Sequence, residues 1–146
     1  PPIFGRTPEE SAVIVRVIHE FQAYTEPYIQ GICRTLLSSA DPGEEPPLGR
    51  DALTDAMHVV AREARTIEMR VARFAWIVGE DYSAIDMVIF PWIQLLRRTL
   101  SRPGAADLAR RFLPIEANYP ALGGWLARIE ALPGYDRTYP PHWRQS

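Results

Sequence analysis

The stretch Tyr82-Ser83-Ala84-Ile85-Asp86-Met87 constrains this chain more than any other. Ser83 followed three residues later by Asp86 is a capping-box pair, because each side chain can satisfy a backbone N–H that the first helical turn leaves unpaired. Tyr82 and Met87 stand at N′ and N4, the spacing of a hydrophobic staple. A helix must therefore begin at Ser83. From Ile85 to Leu96 it is apolar nearly all round: Ile85, Met87, Val88, Ile89, Phe90, Trp92, Ile93, Leu95 and Leu96 leave no polar face for water. Such a helix belongs at the centre of a bundle, and the rest of the chain has to surround it.

The remaining sequence supplies the surroundings. Thr7-Pro8-Glu9-Glu10 reads as a helix start with Thr7 as cap, Pro8 at N1 and Glu10 closing a capping box. Apolar residues then recur with a helical period from Ile14 through Phe21, Tyr24, Tyr28 and Ile32 to Leu36, predicting one helix over 8–38, kinked at Pro27. Asp41-Pro42-Gly43 and Pro46-Pro47 mark Ser38 to Gly49 as a loop. Asp51 is the expected cap of a second long helix. Its apolar positions from Leu53 to Phe74 are spaced three and four apart, and it ends near Gly79, packed antiparallel on the first. A short helix from about Ala105 to Phe112 and a last one from about Pro120 to Leu132 complete the set. Pro133-Gly134 is the stop, and the Pro- and aromatic-rich tail is expected across the surface. Strand-like alternation and internal repeats are absent from the sequence. The expected fold is a single all-α domain over 1–146, a bundle of about five helices around a buried central one.

Composition narrows the chemistry. With 146 residues, 47% of them hydrophobic, the chain can bury one sizeable core. A net charge of -2 gives no field to recruit nucleic acid or an anionic membrane, and neither partner is expected. All 16 basic residues are Arg, which removes Schiff-base and phosphate-loop lysines. The single Cys33 can form no internal disulfide; with no secretory hydrophobic segment, it points to a cytoplasmic protein. The longest apolar stretch, near Met87 to Ile93, is interrupted by Pro91 and falls short of the ~18 residues a membrane span needs. The chain opens on Pro1-Pro2 and not on Met, the pattern expected of a piece of something larger.

The segment from Gly79 to Trp92, GEDYSAIDMVIFPW, resembles the capping-box segment of bacterial glutathione S-transferases: a Gly-containing lead-in, Ser/Thr-x-x-Asp, a wholly apolar helix and an aromatic-Pro-Trp. Asn118 to Ile129, NYPALGGWLARI, resembles the same family's tyrosine-proline-x-leucine-x-x-tryptophan helix. The two motifs stand in the family's order, after two long helices. Leu132-Pro133-Gly134 departs from the family's usual Arg-Pro-Ala, and Gly123-Gly124 weakens the last helix while permitting close backbone packing. The resemblance implies the helical C-terminal domain of a two-domain protein whose N-terminal thioredoxin-like domain, absent from this chain, binds glutathione and carries the catalytic Ser, Tyr or Cys. No residue here matches that catalytic motif, and Cys33 sits inside the first helix, so no catalytic residue is carried over.

Several residues are candidates for a site. Phe21, Tyr24 and Tyr28 widen the apolar arc of the first helix beyond the roughly 100° that one neighbour covers. By resemblance the excess either lines the electrophile pocket or packs in the core or dimer interface. Trp92 is either core or pocket lining. Ser83 and Asp86 are structural caps rather than an acid/base pair. Glu68 falls inside the apolar stripe of the second helix and needs a partner, either Arg65 or an Arg of the facing helix in an ion pair, or a ligand. His19, His58 and His142 share no ligand spacing with each other or with Cys33, so no metal site is expected. Arg97, Arg98, Arg102, Arg110 and Arg111 form either a solvated surface or an anion site.

The function implied by the resemblance is that of a substrate-pocket and dimerisation domain. The full-length protein would use glutathione as co-substrate and join its thiolate to a small hydrophobic electrophile, aided by proximity and desolvation. This segment alone, with no cofactor of its own, is expected to be inactive. The alternative is a non-catalytic interaction module, like the glutathione-transferase-like domains appended to translation factors and aminoacyl-tRNA synthetases. A third reading, the effector-binding bundle of a regulator, shares the wide apolar faces but neither motif.

Overall fold

Pro27 has no N–H to donate to the Ala23 carbonyl and so cannot continue an uninterrupted helix without losing that bond. The first helical segment accordingly breaks at Thr25, whose φ/ψ of -125/-47 lies outside the helix, giving α1 (Pro8–Tyr24) and α2 (Glu26–Leu37). Thr25 stays bonded on both sides of the break: its amide donates to Phe21 O (2.9 Å), and its carbonyl accepts from Tyr28 (3.1 Å) and Ile29 (3.2 Å). The computed structural model describes residues 2–37, 47–138 and 140. The expected loop centred on Asp41-Pro42-Gly43, most of the C-terminal tail, and His142 fall outside them.

After the break come α3 (Arg50–Arg73), α4 (Ala84–Leu100), a 3-10 turn (Pro103–Ala105), and three one-turn helices, α5 (Ala106–Ala109), α6 (Ile115–Asn118) and α8 (Tyr135–Thr138), with α7 (Pro120–Glu130) between the last two. Among the described residues there is no strand, and an isolated bridge joins Trp76 to Gly79. Three boundaries differ from expectation. Gly49 takes the N-cap of α3 with extended backbone, leaving Asp51 in the first turn. α3 ends at Arg73, where Phe74 turns extended to feed the Trp76–Gly79 turn, in which Gly79 has φ 116°. The expected short helix over 105–112 is one turn, followed by the separate turn α6.

α4 passes through the centre. Ile85, Ile89, Ile93, Leu96 and Leu100, three or four apart, are all buried. Each such side chain contributes about 1.5–3 kcal/mol of burial. Phe90, Trp92 and Leu95 pack at the core's edge. One line of the helix remains outside: Met87 is half exposed and Pro91 exposed. Pro91, which has no N–H for the Met87 carbonyl, thus sits on the exposed line of the helix and not among the buried side chains.

At the start of α1 the capping is local. Glu10 donates its amide N–H to Thr7 Oγ1 (3.2 Å), but its carboxylate reaches one residue further back than a capping box requires, accepting from the Arg6 amide (2.5 Å). The Tyr82 ring meets Trp76 edge-on at 4.9 Å, and Met87 is half exposed. Gly123 lets α7 approach α6 closely, since a Cβ there would sit 3.2 Å from Glu116 Cα.

Candidate functional site

Ser83 occupies the N-cap of α4 and Asp86 its N3 position, with the capping box closed in both directions. The Asp86 carboxylate is wholly buried and accepts four hydrogen bonds. Oδ2 takes the Ser83 amide (3.0 Å) and hydroxyl (2.9 Å), while Oδ1 takes the Ile77 amide (3.1 Å) and the indole N–H of Trp125 (2.8 Å). Two donors on each oxygen satisfy a buried carboxylate without a cation. Asp86 therefore joins the head of α4, the turn before it and the middle of α7. Trp125 continues the network sideways: Phe90 meets it edge-on at 6.0 Å, and Tyr135 meets Phe90 at 5.7 Å. With all its lone pairs engaged and no access to solvent, Asp86 holds structure and not a substrate proton.

Glu68, half-buried on α3, has backbone partners in place of an arginine. Its two oxygens accept from the Ala121 (3.1 Å) and Leu122 (2.6 Å) amides in the first turn of α7, which has no side-chain cap of its own. A carboxylate there faces orphan N–H groups and the positive end of the helix. Arg65, the suggested ion-pair partner, instead lays its guanidinium 4.8 Å from the Tyr119 ring centre. Burial pushes the Tyr119 phenol above its ordinary range, with Arg65 opposing and Glu68 adding to the shift. Its hydroxyl donates to Arg111 O (3.2 Å).

The four aromatic candidates differ widely in exposure. Phe21 is in the core, Tyr24 is 72% exposed at the end of α1, Tyr28 is 42% exposed at the start of α2, and Trp92 is half-buried on α4. Among the described residues no two of them form a ring pair. Cys33 is buried on α2 with its Sγ 3.4 Å from Thr99 Oγ1, and burial pushes the thiol up, the opposite of what a nucleophile requires. Among the described residues no three His, Cys, Asp or Glu side chains gather to hold a metal. No described helix is long and apolar enough to cross a membrane.

The arginine cluster separates. Arg97 reaches Glu116 (3.6 Å) and Arg110 reaches Asp107 (2.9 Å), both on the surface. Arg111 turns to α3, where its Nη1 donates to His58 Nε2 (2.5 Å). Neither Glu68's amide partners nor the Asp86–Trp125 bond was visible in the sequence: a carboxylate in an apolar stripe and a tryptophan in an apolar helix each signalled a missing partner but not its identity.

No protein-family model and no curated protein matches the chain. Solved structures do match it in backbone. Glutathione transferase F7 from Populus trichocarpa superposes with a TM-score of 0.68 at 17% identity over 93% of this chain, and glutathione transferase F2 from the same organism with 0.69 at 12% over 92%. The chain spans 58% and 57% of their lengths. Fold is what such a likeness carries, and this chain has the all-α, glutathione-transferase C-terminal-like fold.

Proposed function

We propose that this chain is the helical substrate-pocket and dimerisation domain of a glutathione transferase, joined in the full protein to a thioredoxin-like domain that binds glutathione. The Asp86–Trp125 bond carries the reading: it ties together the two segments that resemble the bacterial enzymes, in a fold shared with glutathione transferases. The chemistry is attack of the glutathione thiolate on a small apolar electrophile, with the thiolate stabilised by the other domain. Tyr24 and Tyr28 offer exposed aromatic surface to that domain, the electrophile or a second subunit.

The test pairs this chain with the product of the complete coding sequence. Titration calorimetry should show no specific glutathione binding to the chain alone, and the complete protein should bind glutathione and conjugate it to an activated aryl halide. Saturable micromolar binding to the isolated chain, or a coding sequence without a thioredoxin-like segment, would reject the reading; the second outcome would favour the non-catalytic interaction module.

A further inference from the structure

α3 turns Ala56, Met57, Val60, Ala64, Ile67 and Val71 into the core. That leaves His58, Arg62, Arg65, Met69 and Arg73, spaced four, three, four and four, in a row on its opposite side. All five are exposed, Met69 at 62%. At 1.5 Å per residue the row runs about 22 Å. It shares no residue with the exposed apolar side chains of α1 and α2.

Guanidinium groups along this row are held by neutral partners. Arg65 lies over the Tyr119 ring (4.8 Å) and Arg73 over the Phe74 ring (5.2 Å). Arg111 donates to His58 Nε2 (2.5 Å), and Arg128, from α7, donates to Ala75 O (3.1 Å). A ring face, an imidazole and a carbonyl orient a guanidinium without cancelling its charge. None of the four arginines has a carboxylate ion-pair partner among the described residues. Carboxylates on the same stretch of chain are engaged elsewhere: Glu68 accepts from the first-turn amides of α7, Glu80 accepts from the Ala75 amide (3.3 Å), and Glu63, off the row, answers Arg70 and Arg62.

Solvated arginines alone would make an ordinary surface. Here they surround the exposed Met69, with Phe74 37% exposed at the end of the row, and Arg, Met and aromatic residues are the types that protein interfaces concentrate. A row spaced in threes and fours along a helix matches the corresponding row of a second helix. A net charge of -2 gives no general attraction for a polyanion such as nucleic acid, so a partner must find apolar contact as well as charge. We propose that the outer row of α3 docks an acidic amphipathic helix of a partner protein. Carboxylates of that helix meet Arg65, Arg73, Arg111 and Arg128, and an apolar side chain rests on Met69.

The probe is a synthetic helical peptide of about sixteen residues, long enough to span the row, with a line of glutamates around one central leucine. Binding is followed by amide chemical shifts of the full 146-residue chain. Saturable binding is expected, with shifts at Arg65, Met69, Arg73 and Arg128, and it should weaken as salt is raised. Arg65→Gln/Arg73→Gln should reduce affinity about tenfold or more, as loss of charge-assisted bonds implies, with the melting temperature unchanged. Should the double variant not fold, Met69→Glu alone removes the apolar contact and repels the glutamates from an exposed position. The proposal is overturned by no saturable binding, by equal affinity for the same peptide with glutamine in place of glutamate, or by undiminished binding to the folded variants. Shifts confined to α1 and α2, or an RNA oligonucleotide that occupies the row more tightly than the peptide, would overturn it equally. Because glutathione plays no part in these measurements, their failure leaves the transferase reading untouched.

Discussion

Asp86 is the residue on which most of the fold converges, and its removal should cost far more than the loss of a cap. Asp86→Ala leaves the indole N–H of Trp125 and the Ile77 amide buried without an acceptor, each at about 1–3 kcal/mol, in addition to roughly 1 kcal/mol for the cap. We expect a destabilisation of about 3–5 kcal/mol by urea denaturation, and about 1–2 kcal/mol for Trp125→Phe, which withdraws a single donor. An Asp86→Ala midpoint close to wild type would mean that Trp125 and Ile77 find other partners. Cys33 gives a test with a sign. The fold favours the protonated thiol, since burial raises its pKa. Its contribution is therefore complete below the unfolded thiol's pKa of roughly 8.5 and is lost as pH rises towards the higher folded value. Tyr82 and Tyr119, also raised chiefly by burial, act in the same direction at higher pH. Denaturation midpoints measured from neutral to alkaline pH should begin to fall at a higher pH in Cys33→Ala than in the wild type; coincident curves would show that the thiol is not protected.

At the scale of the element, adjacent glycines in α7 should respond oppositely to the same change. A Cβ at Gly124 would meet only the tip of Arg128 at 3.6 Å, so Gly124→Ala should stabilise by about 0.5–1 kcal/mol through helix propensity. At Gly123 the added methyl would press on the Glu116 backbone at 3.2 Å, and Gly123→Ala should lower the melting temperature. Thermal scans of the two variants decide it; a rise in both would mean that α6 moves aside freely. The helices themselves were legible because period, caps and breakers are local: Ser83, Asp86 and Pro120 mark starts, and Leu53 to Val71 mark a buried stripe. What local pattern does not encode is which consequence of a proline wins. Pro27 and Pro91 look alike in sequence, yet the chain breaks before Pro27, with Thr25 bonded on both sides of the break, and runs through Pro91 on the exposed line of α4. The cap of α7 was hidden for a different reason. It is contributed by Glu68 more than fifty residues away, and sequence spacing does not record a contact made through the fold. The candidate site was the least legible part, since burial splits Phe21 from Tyr24 and Tyr28 although all three share one periodic pattern.

For the whole molecule, that split sets how strongly two copies can associate. The sequence left Val13, Val17, Tyr24 and Tyr28 on one side of the first segment and Ile18, Ile29 and Leu36 on the other, an arc too wide for one neighbour. Folding withdraws much of it: Val17 and Ile29 are buried, and Ile18 and Leu36 pack against the core. Val13, Tyr24 and Tyr28 stay exposed at 38, 72 and 42%, with Val15 at 41%. Val13, Tyr24 and Tyr28 recur at helical spacing while Val15, two positions from Val13, projects elsewhere, so the exposed apolar surface is far from the roughly 1,600 Å² of a standard stable complex. A homodimer of this chain should therefore be weak and concentration-dependent. Sedimentation velocity over a wide concentration range should show association that Tyr24→Glu abolishes, because a carboxylate placed in the closed interface loses its water without gaining a partner. Tyr24 is the right position for that change: at 72% exposure its replacement leaves the core of the monomer intact, so a matching melting temperature separates lost association from lost folding. A chain that stays monomeric at every concentration, with Tyr24→Glu indistinguishable from it, would assign the patch to the electrophile pocket or to the thioredoxin-like domain.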